Sequence, residues 1–92
     1  MPQITLEFSS RLDGADWRAV ALDVHAACVD IAQAKLTMCK TRLVRLEHVV
    51  IADGAPDQAM AHCEIRLLPG RSADQKARLS DRTLERLQSA LA

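Results

Sequence analysis

Hydrophobic and polar residues alternate over residues 3–8, with Ile4, Leu6 and Phe8 on one parity and Gln3, Thr5 and Glu7 on the other. Successive strand side chains point to opposite faces, so this period of two predicts a half-buried strand. Pro2 is tolerated at its start, where a missing backbone donor is harmless. The period then lengthens. Trp17, Val20, Ala21, Val24, Cys28 and Ile31 recur at helical spacing and predict a helix over about 14–35, with Asp13 as its N-cap and Asp16 in the first turn. Residues 41–51 are rich in β-branched and apolar side chains. Val44, Leu46 and Val50 share a parity with Lys40, Arg42 and His48, which predicts a long second strand. Residues 52–57 are turn chemistry throughout. Alternation returns over 58–68, with Ala61, Cys63, Ile65 and Leu67 opposed to His62, Glu64 and Arg66. Pro69 and Gly70 break that strand. Ser72 and Gln75 then have capping-box spacing ahead of a helix whose stripe is Leu79, Thr83, Leu84, Leu87, Ala90 and Leu91.

The order is β-α-β-β-α, expected to form one α/β (α+β) domain over 1–92, a mixed sheet with two helices packed on one face. A helical crossover of this length joins parallel strands and is right-handed. Strands 1 and 2 then start at the same end of the sheet, and strand 3 runs back towards it. Pro2, Lys40, Arg42 and the start of the last helix at Arg71 are therefore expected at one end.

Composition narrows the function classes. The chain has 92 residues, with 12 Lys plus Arg against 12 Asp plus Glu. Balanced charge without a basic block gives no pull towards nucleic acid. Phe8 and Trp17, the only aromatics, make no base-stacking platform. No apolar run approaches the ~20 residues of a membrane span. Cys28, Cys39 and Cys63 are odd in number, lack a CxxC pair and follow no signal peptide, which fits a reducing cytoplasm. They read as small buried apolar residues. A metal site built from them with His25, His48 and His62 is disfavoured, because the adjacent His62 and Cys63 face opposite ways in a strand. No metal or cofactor is expected.

Pro2 carries the candidate chemistry. A proline behind the initiator methionine normally becomes the chain terminus, leaving a secondary amine. Such an amine serves as a general base when its pKa is lowered, and nearby cations lower it. Lys40, Arg42 and Arg71 would do this, and the same cations would hold a substrate carboxylate, Arg in two-pronged fashion. The helix start at Ser72 would add backbone donors for an anion or enolate. The plain alternative is that Lys40 and Arg71 are solvated surface cations.

Met1-Pro2, Glu7-Phe8-Ser9, Ala52-Asp53-Gly54, the His62 strand and Gly70-Arg71-Ser72 together resemble the 5-carboxymethyl-2-hydroxymuconate isomerases of the tautomerase superfamily. The resemblance runs over nearly the whole chain and is strongest from Ala52 to Leu87. It implies a β-α-β-based subunit assembled as a homotrimer. It also implies cofactor-independent isomerisation of a small unsaturated 2-hydroxy or 2-oxo acid, a keto-acid or dicarboxylic substrate, in aromatic-acid catabolism. Pro2 matches the family's catalytic proline and Arg71 a substrate-binding arginine. The second family arginine aligns with Lys40, with Arg42 two residues on. Lysine keeps the charge and loses the fork. Relatives continue beyond the position of Ala92 into another strand. With Met1 attached, the Pro2 nitrogen is an amide and not a base. Two readings follow: an isomerase working through Pro2, or a non-catalytic trimeric binding or assembly protein on the same fold.

Overall fold

A computed structural model describes residues 1–92. Three strands and two helices follow in the expected order: β1 (Gln3–Ser9), α1 (Trp17–Ala32), β2 (Lys40–Leu46), β3 (Ala61–Arg66) and α2 (Ala73–Leu91). The sheet order is β2-β1-β3, with β1 parallel to β2 and antiparallel to β3. The expected mixed sheet is therefore present, with β1 at its centre.

Ile4, Leu6 and Phe8 are buried, as the alternation requires, and join Val20, Val24, Cys28 and Ile31 of α1 and Leu79 of α2 in one core. Phe8 stacks on Trp17 with ring centroids 4.6 Å apart and planes at 9°. Trp17 Nε1 donates to Leu12 O across 2.8 Å, so its one polar atom is satisfied where the ring is buried. In register, Thr41, Leu43 and Arg45 of β2 and Ile65, Cys63 and Ala61 of β3 share the helix-covered face with Ile4, Leu6 and Phe8. The other face carries Gln3, Thr5 and Glu7, flanked by Lys40, Arg42, Val44 and Leu46 on β2 and by Arg66, Glu64 and His62 on β3, and is polar apart from the far end of β2.

Several boundaries move. The N-cap of α1 is Asp16, whose side chain accepts from Ala19 N, not Asp13. Asp13 instead receives Arg45 Nε at 2.9 Å, a pairing of residues 32 apart that local pattern cannot show. The first helix also ends earlier than 35. Gln33 turns left-handed at φ 56 and returns its N–H to Cys28 O, and Ala34 N does the same. The second strand stops at Leu46, five residues short of Ile51, because β1, its only partner, ends in register with it at Ser9. The third strand is shorter at both ends than 58–68. The capping box forms as read: Ser72 Oγ accepts from Gln75 N at 3.1 Å, and Gln75 Oε1 accepts from Ser72 N at 2.9 Å. No helix is long and apolar enough to cross a membrane.

Candidate active site

The parallel β1–β2 pairing brings Pro2 and Lys40 together. Lys40 N donates to Pro2 O at 3.4 Å, one step before the register pair Gln3–Lys40. Antiparallel β3 ends at the same place, with Arg66 opposite Gln3 on the other side. Gln3 thus lies in a row between Lys40 and Arg66. Arg42 reaches into the same row, and its Nη1 donates to Gln3 Oε1 at 3.2 Å. Three cations from two strands therefore surround one amide on the polar face. Arg66 was not singled out from sequence. The available signal was its parity with His62 and Glu64, combined with the antiparallel return of the strand. In this chain Arg66 Nε also pairs with Glu64 Oε1 at 2.8 Å, an exposed contact of small energetic weight.

Pro2 itself lies on the other parity and its side chain is fully buried with Ile4 and Leu6. Met1 above it remains 38% exposed. The proline ring is thus held in the core, with a partly exposed methionine before it.

Arg71 occupies a different position from Lys40 and Arg42. Its Nε donates to Ala32 O at 3.1 Å and its Nη1 to Leu68 O at 3.4 Å. It is therefore in the helix layer, at the C-terminal end of α1, where a cation meets unsatisfied carbonyls and the negative end of the helix dipole. Gly70 at φ 116 makes the turn that delivers it there, a conformation that side chains rarely adopt. Gln75 Nε2 adds a bond to Ile31 O at 3.1 Å, so two side chains from the start of α2 close the end of α1. Arg71, Gln75, Ala32, Gln33 and Gly70 line a small polar cavity of about 330 Å³. A larger cavity of about 600 Å³ lies between β3 and α2, and Pro2 lines neither of them.

The cysteines behave as structural thiols. Burial, with Cys39 and Cys63 nearby, pushes the Cys28 thiol up to about 11, and burial pushes Cys63 up to about 11. No group of three or more His, Cys, Asp or Glu side chains is arranged to hold a metal ion.

A parallel β-α-β unit with a second β-α unit set antiparallel to it is a tautomerase-like fold, shared with several solved structures. The crystal structure of a 5-carboxymethyl-2-hydroxymuconate isomerase from Deinococcus radiodurans R1 superposes with TM-score 0.88 at 21% identity, over 97% of this chain and 68% of that one. A fused 4-OT protein described as a wild-type symmetric trimer gives 0.82 at 23% identity, over 98% and 74%. A 5-carboxymethyl-2-hydroxymuconate delta-isomerase gives 0.78 at 20% identity, over 99% and 71%. No curated protein matches the sequence. Residues 2–92 match the 5-carboxymethyl-2-hydroxymuconate isomerase family, and the chain belongs to it. By that membership it is an isomerase.

Proposed function

We propose that the protein is a cofactor-independent tautomerase of small unsaturated 2-hydroxy or 2-oxo acids, resembling 5-carboxymethyl-2-hydroxymuconate, with Pro2 as the base. The family match, beginning at Pro2 itself, carries the reading. Three features of the chain support it. Met1 is partly exposed and is not among the core residues, so its removal takes no side chain from the core. Lys40 and Arg42 pair in register with Gln3 and Thr5, at the end of the sheet where Pro2 lies. Their positive charge disfavours a protonated amine and attracts a carboxylate.

In this mechanism the free Pro2 nitrogen takes a proton from the substrate's 2-hydroxyl or an adjacent carbon and returns it to the carbon whose configuration or unsaturation changes. Arg42 and Lys40 hold a carboxylate and polarise the dienolate that forms between the two transfers. Arg71, held by one donor on Ala32 O of α1 and another on Leu68 O after β3, would reach a second carboxylate with those that remain. The relative described as a symmetric trimer supports a homotrimer.

Mass spectrometry of protein made in its own host should show the chain without methionine. That chain should tautomerise a 2-hydroxymuconate-type acid, and Pro2→Ala should lower kcat by on the order of 10²–10⁴, the usual span for a general base. A processed chain with no such activity, or an active chain that retains Met1, would sink the reading.

A further inference from the structure

The charges of the polar sheet face are sorted by strand. Glu64 Oε1 accepts from Arg66 Nε at 2.8 Å, and Glu7 Oε1 lies 3.5 Å from His62 Nδ1. Both acids of this face thus take their basic partners from β3. Lys40 and Arg42 on β2 form no ion pair in the chain. They lie two residues apart on one face, about 7 Å along the strand, so one carboxylate can meet both heads.

Arg42 has a neutral partner instead. Its Nη1 donates to Gln3 Oε1 at 3.2 Å. An arginine only donates, so the amide must turn its oxygen towards it. In register Arg42 pairs with Thr5, and Gln3 pairs with Lys40. The bond is therefore diagonal and runs towards the Lys40 row, where Lys40 N donates to Pro2 O. A glutamate in place of Gln3 would take the guanidinium on two prongs and cancel its charge. One amide oxygen engages a single donor, leaves the rest of the fork open and cancels nothing.

We infer that Gln3 is a positioning residue, a neutral tether that holds the Arg42 guanidinium towards the Pro2 end of the sheet and leaves it free for an anionic group of the substrate. The inference deepens the proposed role of Arg42 as a carboxylate holder and rests on it. Gln3 is half-buried and outside the core, so its side chain is not needed for packing. A tether of this kind acts on binding, not on proton transfer, and is read in KM.

Kinetics of the methionine-free chain on 2-hydroxymuconate test it, with Gln3→Met, Gln3→Glu, Arg42→Met and the double variant Gln3→Met with Arg42→Met. Mass spectrometry and circular dichroism establish processing and fold in each. Gln3→Met keeps the side-chain length and removes the acceptor. It should raise KM roughly 3- to 10-fold, the span of one ordinary hydrogen bond, and leave kcat within about two-fold. Gln3→Glu keeps the acceptor and should raise KM further, because it occupies the fork and cancels its charge. In the Arg42→Met background, Gln3→Met should add nothing. An active wild type whose KM is unmoved by Gln3→Met overturns the inference and leaves the tautomerase reading standing. So does a Gln3→Met variant that loses kcat alone, or one whose KM rises equally with and without Arg42. A Gln3→Glu variant with wild-type KM overturns the need for a neutral tether. A processed, folded wild type without activity overturns both the tether and the tautomerase reading.

Discussion

Arg71 is tied to the end of the first helix through Ala32: its Nε donates to that carbonyl across 3.1 Å, linking residues 39 apart. A hydrogen bond from a charged donor contributes roughly 1.5–3 kcal/mol when its partner is otherwise unsatisfied, and partial exposure reduces this. Arg71→Ala is therefore expected to lower stability by about 1–2 kcal/mol in urea denaturation, in addition to raising KM. A variant with raised KM and unchanged denaturation midpoint would mean that the arginine serves substrate alone.

Gln75 has two duties, completing the capping box with Ser72 and bonding Ile31 O. Ser72→Ala should cost about 1 kcal/mol, as N-cap removals do. Gln75→Ala should cost at least as much, because both contacts go. The double variant should be less destabilised than the sum, since the two residues share the box. Additive losses in a double-mutant cycle would show that the box is not a unit.

His25 is half-buried, with Nε2 2.7 Å from Thr41 Oγ1, and burial lowers its pKa below the usual 6.5. On acidification the unfolded chain binds this proton first, so the native state loses stability as pH falls through about 6.5. At higher pH both states are neutral and the penalty is absent. Wild type should therefore unfold more readily at pH 5 than at pH 7.5, and His25→Gln should flatten that slope. An identical slope in the variant would remove His25 as its source.

The thiols of Cys28 and Cys63, held near 11 in the fold, should react slowly with iodoacetamide at pH 8. Their rates should keep rising until about pH 11. Linkage runs the other way from His25: above pH 9 the unfolded thiols ionise first, so folding stability falls as pH rises towards 11. Rapid modification of either residue at neutral pH, mapped by peptide mass, would contradict their burial.

Much of the fold was legible because its signals are local. The alternation at Ile4, Leu6 and Phe8 records one buried face, and the spacing of Ser72 and Gln75 records a helix start within four residues. The strand directions followed from the length of the connections. Errors arose where a distant residue decides. Asp13 looked like an N-cap until Arg45 claimed it, and residues 47–51 looked like strand until β1 ran out alongside β2.

The candidate site divides in the same way. That Pro2 and Lys40 come to the same end of the sheet was readable, because a helical crossover makes two strands parallel and aligns their starts. The position of Arg71 was not readable. Sequence placed it at the same end of the sheet, and only tertiary structure set it in the helix layer against Ala32, away from the polar face. The placement of Arg66 across from Gln3 came from the antiparallel pairing of β3 with β1. Sequence by itself determined the elements, the buried faces and the end of the sheet where chemistry gathers, since these depend on side-chain period and chain connectivity. Tertiary structure decided which cations share a face, because this depends on register and on contacts between residues tens of positions apart.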